Sequence, residues 1–178
     1  YVAKVGNFAD HGYHYTGALR ILKLILSYDY LWINVRVKGG AYGCMSGFFR
    51  SGETYFVSYR DPNLLKTLEI YDGIPEYLRK FQADERDMTK YIIGTFSSMD
   101  TPLYPEGKGA RSMNAYLQDL TEEMLQKDRD EVRNATAEDI RALSDMIQSV
   151  LQDPSVCVIG NEDAIQKEAQ LFDKVTGL

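Results

Sequence analysis

Two cysteines, two histidines, five prolines and one tryptophan are all that this 178-residue sequence holds of those four types, and the scarcities exclude whole classes of chemistry. Cys44 and Cys157 lie far apart with no CxxC spacing, which excludes a disulfide scaffold and a cysteine zinc site and predicts buried thiols in a reducing compartment. His11 and His14 are three apart around Gly12 with no carboxylate between them. A helical zinc pair needs ligands four apart with a glutamate between, so no HxxEH-type motif is present and both histidines are expected at a rim, facing solvent or packing. Lys23, Asp29 and Asn34 interrupt the richest apolar stretch, Leu19 to Val37, so no membrane partner is expected. A net charge of −6 and a pI near 5.0 argue against a phosphate backbone, hence no nucleic acid. The same acidity suits basic peptides and plain solubility equally. Internal repeats, low-complexity tracts and a signal-peptide pattern are missing too. Because the sequence opens on Tyr1, not Met, and goes straight into an apparent strand, it is expected to be a piece of a longer polypeptide.

What is present is the composition of an ordinary globular protein, 44% hydrophobic, in a length suited to one core and one domain, 1-178. Tyr1 to Val5 reads as a strand closed by Gly6-Asn7. Thr16 is placed to cap a helix over Leu19, Leu22, Ile25 and Leu26. Tyr42 to Arg50, a Ser51-Gly52 turn and Glu53 to Tyr59 form the clearest hairpin signal. Asp61-Pro62 reads as cap and first-turn proline of a helix over Leu64, Leu65 and Leu68. Residues 84–99 continue helically, with Met88, Tyr91, Ile92 and Phe96 on one side. Tyr104 to Gly109, with one proline and two glycines, reads as a loop. Ala110 to Arg133 is helical in two pieces broken near Leu120-Thr121, and Gln126 to Arg133 reads as a solvated charged face. Thr136 and Asp139 make a capping box for a helix burying Ile140, Leu143, Ile147 and Val150. Val156 to Ile159 is apolar throughout and should be a central, covered strand, followed by a helix from Asp163 to Val175. The expected class is α+β: a two-layer mixed β-sheet with helices packed mainly on one face.

One stretch organises the chain: Tyr30-Leu31-Trp32-Ile33-Asn34-Val35-Arg36-Val37-Lys38-Gly39-Gly40-Ala41-Tyr42-Gly43. Leu22, Leu26, Leu31 and Val35 can share a helical face, and Gly39-Gly40 supplies a backbone that can take positive φ at a helix end. Arg36 therefore sits in a last helical turn and Tyr42 at a strand start. Spacing alone favours an arginine that complements the helix dipole and a partly buried tyrosine. The glycines match neither the dinucleotide fingerprint nor the Walker loop.

This block resembles the arginine-tyrosine motif in the C-terminal half of insulinase-type (pitrilysin-type) zinc metallopeptidases, in particular the presequence protease and falcilysin branch. Tyr1-Val2-Ala3-Lys4, Gly6-Asn7, Tyr59-Arg60-Asp61-Pro62-Asn63 and Asn134-Ala135-Thr136-Ala137-Glu138-Asp139-Ile140 add weaker matches along most of the chain. The resemblance implies the C-terminal, substrate-binding domain of a clamshell endopeptidase that degrades unfolded peptides. Zinc would be held by an inverted HxxEH motif in the absent N-terminal half, the partner of this chain, with no cofactor in the chain itself. Arg36 and Tyr42 would be the catalytic pair carried to that composite site, with Gly39 and Gly40 holding them against the substrate backbone. By the same resemblance, the alternative is a non-catalytic scaffold or substrate-presenting subunit. A cytoplasmic location is expected, or the mitochondrial matrix or another organelle in a eukaryote, and the isolated fragment is a possible homodimer.

Overall fold

The computed structural model describes residues 1–177. Four strands form one sheet in the order β2-β3-β1-β4, with β1 at Val2–Asn7, β2 at Gly43–Phe48, β3 at Glu53–Tyr59 and β4 at Ser155–Val158. Nine α-helices lie among the described residues: α1 Ala18–Ile25, α2 Leu65–Asp72, α3 Ile74–Arg79, α4 Glu85–Met99, α5 Pro105–Leu117, α6 Glu122–Arg133, α7 Ala137–Ala142, α8 Ser144–Gln152 and α9 Glu162–Lys167. The α+β class holds. The sheet is antiparallel throughout, however, and not mixed: β1 pairs with both β3 and β4 in opposite sense, because the late strand returns against β1 (Val2 opposite Val158).

The register gives the sheet two unlike faces. Val2, Phe56 and the buried polar residues Ser46, Thr54 and Ser58 point into the helical layer, where Phe56 packs on Tyr71 of α2 with ring centroids 5.8 Å apart. Gly6 lets β1 approach α8 so closely that a Cβ there would stand 2.5 Å from the Val150 carbonyl oxygen. Tyr55, Val57 and Tyr59 alternate onto the opposite face beside Val5 and Met45, which are exposed.

The buried side chains form one cluster built on Leu19, Leu22, Leu26, Leu31, Phe56 and Ile147, all at most 1% exposed. The predicted inward set Ile140, Leu143, Ile147 and Val150 is buried, and Thr136 and Asp139 close the capping box. Tertiary geometry overrides the local reading at several places. Pro105 is the first residue of α5 and not part of a loop, since its fixed φ suits a helix start. Asp128, read as part of a solvated face, is 4% exposed, held by the guanidiniums of Arg20 and Arg50. Asp61 caps the turn at Asn63 rather than α2, whose N-cap is Leu64. The strand β4 is an edge strand, not central: it pairs with β1 on one side only, and Cys157 faces outward. So the thiols are not both buried: Cys157 is exposed and Cys44 half-buried. The final helix is short, ending at Lys167 before a 3₁₀ turn at Ala169–Leu171.

Candidate functional site

The site begins where α1 changes pitch. Beyond Ile25 the helix widens into π-helical segments Leu26–Tyr30 and Trp32–Val37, in which the Leu31 amide reaches the Leu26 carbonyl and the Lys38 amide the Ile33 carbonyl, five residues back. The extra residue per turn turns Leu31 and Val35 onto the buried stripe of Leu22 and Leu26, all 0% exposed, and throws Trp32 and Arg36 to the surface side. Such widened turns recur at functional sites.

At its end the chain folds back on itself. The Gly40 amide donates to the Arg36 carbonyl at 2.9 Å and the Ala41 amide to the Val35 carbonyl at 3.2 Å. Gly40 has φ +82°, which a side chain rarely adopts, and a Cβ on Gly39 would stand 2.4 Å from the Val35 carbonyl oxygen. Asn63 donates to the Gly39 carbonyl at 2.5 Å, tying the elbow to the corner after β3.

This elbow brings Arg36 and Tyr42 together. The Arg36 Nε donates to the Tyr42 main-chain carbonyl at 2.9 Å, and the guanidinium stacks on Trp32 with Cζ 3.8 Å from the ring centroid. A guanidinium held this way keeps its terminal N–H groups free to grip an oxygen acceptor. Tyr42 is 59% exposed, its ring 5.6 Å from that of Tyr59, and its hydroxyl meets no hydrogen-bond partner among the described residues. Arg36, Val37, Gly40, Ala41, Tyr42 and Arg60 line one open recess of about 540 Å³. Of the four residues expected at the site, Arg36, Tyr42 and Gly40 line it, and Gly39 stands behind as part of the elbow.

Sequence reasoning missed Arg60 and the Trp32 stack. Arg60 belongs to the Tyr59-to-Asn63 corner, and the signal that marks it is a cation directly after a strand that ends beside Tyr42. The Tyr42 amide donates to the Arg60 carbonyl at 3.2 Å.

The chemistry of the recess is that of hydrogen-bond donation. Burial pushes the neighbouring Cys44 thiol above its ordinary pKa, with Arg36 opposing and Asp61 adding to the rise, so it stays a thiol and supplies no thiolate nucleophile. His11 and His14 are exposed near the other end of β1. No group of three or more His, Cys, Asp or Glu among the described residues could hold a metal ion, so these residues do not fit a zinc site. A larger hollow of about 900 Å³ lies between α6 and the start of α1, walled by Glu122, Glu123, Asp130, Glu131 and Asp139. Gln126, Lys127 and Asn134 line it as well, and Lys127 pairs with Glu131, so its donors stand among acceptor carboxylates.

The model of the PreP C-terminal domain matches residues 1–162. Protein HypA of Clostridium perfringens is 51% identical over 175 residues, 98% of this chain and 18% of that protein. Presequence protease 1, chloroplastic/mitochondrial, of Arabidopsis thaliana is 40% identical over 159 residues, 89% of this chain and 15% of that protein. The mitochondrial presequence protease of Xenopus laevis is 35% identical over 123 residues, 69% and 12%. The chain thus spans less than a fifth of the length of these relatives. Among solved structures, a Bordetella pertussis chain assigned as a zinc protease superposes with a TM-score of 0.64 at 16% identity, over 89% of this chain and 93% of that one. The inactive peptidase domain of a Bordetella parapertussis protein with the same assignment gives 0.63 at 15% identity, over 88% and 91%. Matched over most of its length by that model and by relatives up to 51% identical, the chain belongs to the presequence protease (PreP) C-terminal domain family.

Proposed function

We propose that residues 1–178 are a single substrate-gripping domain of a larger zinc-dependent endopeptidase acting on unfolded peptides, and that Arg36 and Tyr42 act at a composite site completed by the N-terminal half of the parent polypeptide. The observation that carries this reading is the Arg36–Tyr42 arrangement: one recess, joined by the 2.9 Å bond from Nε to the tyrosine carbonyl, with the tyrosine hydroxyl and the terminal guanidinium N–H groups turned to no other partner among the described residues. A guanidinium and a phenol both donate at neutral pH, and a peptide carbonyl under attack gathers negative charge on its oxygen. Donors fixed in place before that charge appears lower the barrier, each by about 3 kcal/mol.

The rigid elbow supports the same role, since donors that need not reorganise are the effective ones. Gly39 and Gly40 hold the pair against the substrate backbone. Zinc would be held by the other half of the parent, since no group of three or more His, Cys, Asp or Glu among the described residues could hold it. The outward sheet face, with Val5 40% and Met45 43% exposed, supports a covering partner: the N-terminal half in the parent, or a second copy in the isolated chain. The Arabidopsis and Xenopus relatives are named for chloroplast and mitochondrion, which supports the organellar alternative over the cytoplasm for a eukaryotic parent.

The test compares the full parent polypeptide with this chain alone on an unstructured peptide, with and without a metal chelator. A chelator-sensitive parent beside an inert chain is the expected result. An inert parent contradicts it and leaves the scaffold role.

A further inference from the structure

Arg60 is the second cation of the recess, and three features set it apart. Its φ of +48° lies in the left-handed region, which non-glycine residues rarely adopt. That turn sends its carbonyl to the Tyr42 amide and its guanidinium back over the Tyr42 ring, with Cζ 5.2 Å from the centroid. And it is unpaired. Six of the ten arginines reach a carboxylate, whereas among the described residues neither Arg36 nor Arg60 does, although both line the same recess.

The carboxylate next in sequence is occupied elsewhere. Asp61 Oδ2 accepts from the hydroxyls of Ser58 at 2.6 Å and Thr67 at 2.7 Å, and Oδ1 accepts from the Asn63 amide at 2.9 Å. A guanidinium lying on a ring spends its face and keeps its in-plane fork of N–H groups, the geometry that fits a carboxylate with two parallel bonds. No side-chain hydrogen bond engages that fork among the described residues. In a protein of net charge −6, two guanidiniums in one recess with no carboxylate partner among the described residues are a local reversal of sign.

We propose that Arg60 is a specificity-determining residue that takes the carboxylate of an acidic side chain on the bound peptide, close to the carbonyl gripped by Arg36 and Tyr42. This rests on the reading of the recess as the peptide site. It extends that reading to a substrate class: peptides with Glu or Asp near the point of attack, in contrast to the basic peptides that the overall charge would suit.

The experiment measures the dissociation constants of the full parent polypeptide for unstructured peptides identical except for Glu, Gln or Lys placed in turn at each position near the cleavage point. The expected result is a position where Glu binds roughly tenfold tighter than Gln, as for one charge-assisted fork. Arg60→Gly, which relieves the positive φ while removing the charge, brings the Glu/Gln ratio to about one. Arg60→Glu turns the preference to Lys, and Arg60→Lys restores part of the preference for Glu. A wild-type ratio near one at every position overturns the proposal. So does an Arg60→Gly variant that weakens the Glu and Gln peptides equally, which is the behaviour of a residue that only shapes the backbone. Because the readout is binding, it stands apart from catalysis: failure of the Arg36–Tyr42 reading shows separately, as undiminished turnover of the Gln peptide by Tyr42→Phe.

Discussion

The Nε of Arg36 donates to the main-chain carbonyl of Tyr42 at 2.9 Å, so the helix end and the strand start that carry the two side chains are pinned to each other by one of those side chains. Only a guanidinium can hold that bond and the Trp32 stack while leaving further N–H groups free. Arg36→Lys is therefore expected to behave like Arg36→Ala, with turnover in the full parent down by roughly a hundredfold. Steady-state kinetics beside thermal denaturation checks this; turnover of Arg36→Lys near wild type shows that charge alone suffices.

The elbow separates stability from function. Gly12 and Gly40 have nearly the same backbone, φ +80° and +82°, and a Cβ at Gly12 would meet nothing within 4 Å. Gly12→Ala and Gly40→Ala should each lose about 1 to 2 kcal/mol of stability from the left-handed backbone. Only Gly40→Ala should also lower turnover, because it carries the bond to Arg36. Equal turnover in the two variants means that the elbow is scaffolding.

How legible was this in the sequence? The hairpin was, because Tyr42 to Tyr59 alternates around a Ser51-Gly52 turn, and so was the approach of Arg36 and Tyr42, because Gly39-Gly40 suits a helix end followed by a strand. The shared buried face of Leu22, Leu26, Leu31 and Val35 was read from the sequence, but the π-widening that carries Leu31 and Val35 onto it has no signature in helical periodicity. The helix α5 was hidden because Pro105, Gly107 and Gly109 are read locally as breakers, and none of its residues is buried to give a periodic stripe. Asp128 and Arg60 were illegible for one reason: their roles depend on partners from Arg20, Arg50 and Tyr42, which only the fold brings near.

Lys4 offers a test of the sheet's inner face. Its ammonium, on a side chain 8% exposed, pairs with Asp72 at 2.5 Å, whereas the Asp72 side chain is 51% exposed. Removing either partner is therefore not equivalent. Asp72→Ala strands a buried cation and should lose about 3 kcal/mol, while Lys4→Met leaves a carboxylate that water can solvate and should lose under about 1 kcal/mol. Urea denaturation of both variants measures the difference, and equal losses rule out the asymmetry.

Alkali should destabilise the protein through its tyrosines. Burial raises the phenol pKa of Tyr15, Tyr30 and Tyr71, and pushes that of Tyr77 up to about 12, with Asp29 and Tyr30 adding to the Tyr77 rise. Unfolded tyrosines titrate near 10. The folded state thus keeps protons that the unfolded state releases, so stability is fully present below about pH 10 and falls between about 10 and 12, each buried phenol steepening the fall by up to about 1.4 kcal/mol per pH unit. Tyrosinate absorbance should show these phenols ionising only as the fold is lost. A single transition near pH 10 in the folded protein contradicts this.

The central claim is that Tyr42 donates to the substrate from within a composite site, and the most direct measurement is the kcat of the full parent polypeptide carrying Tyr42→Phe. The change removes one exposed hydroxyl and keeps the ring that packs on Tyr59. A fall in kcat of roughly a hundred- to a thousandfold, with the melting temperature unchanged, is what the account predicts. Normal turnover in that variant contradicts it.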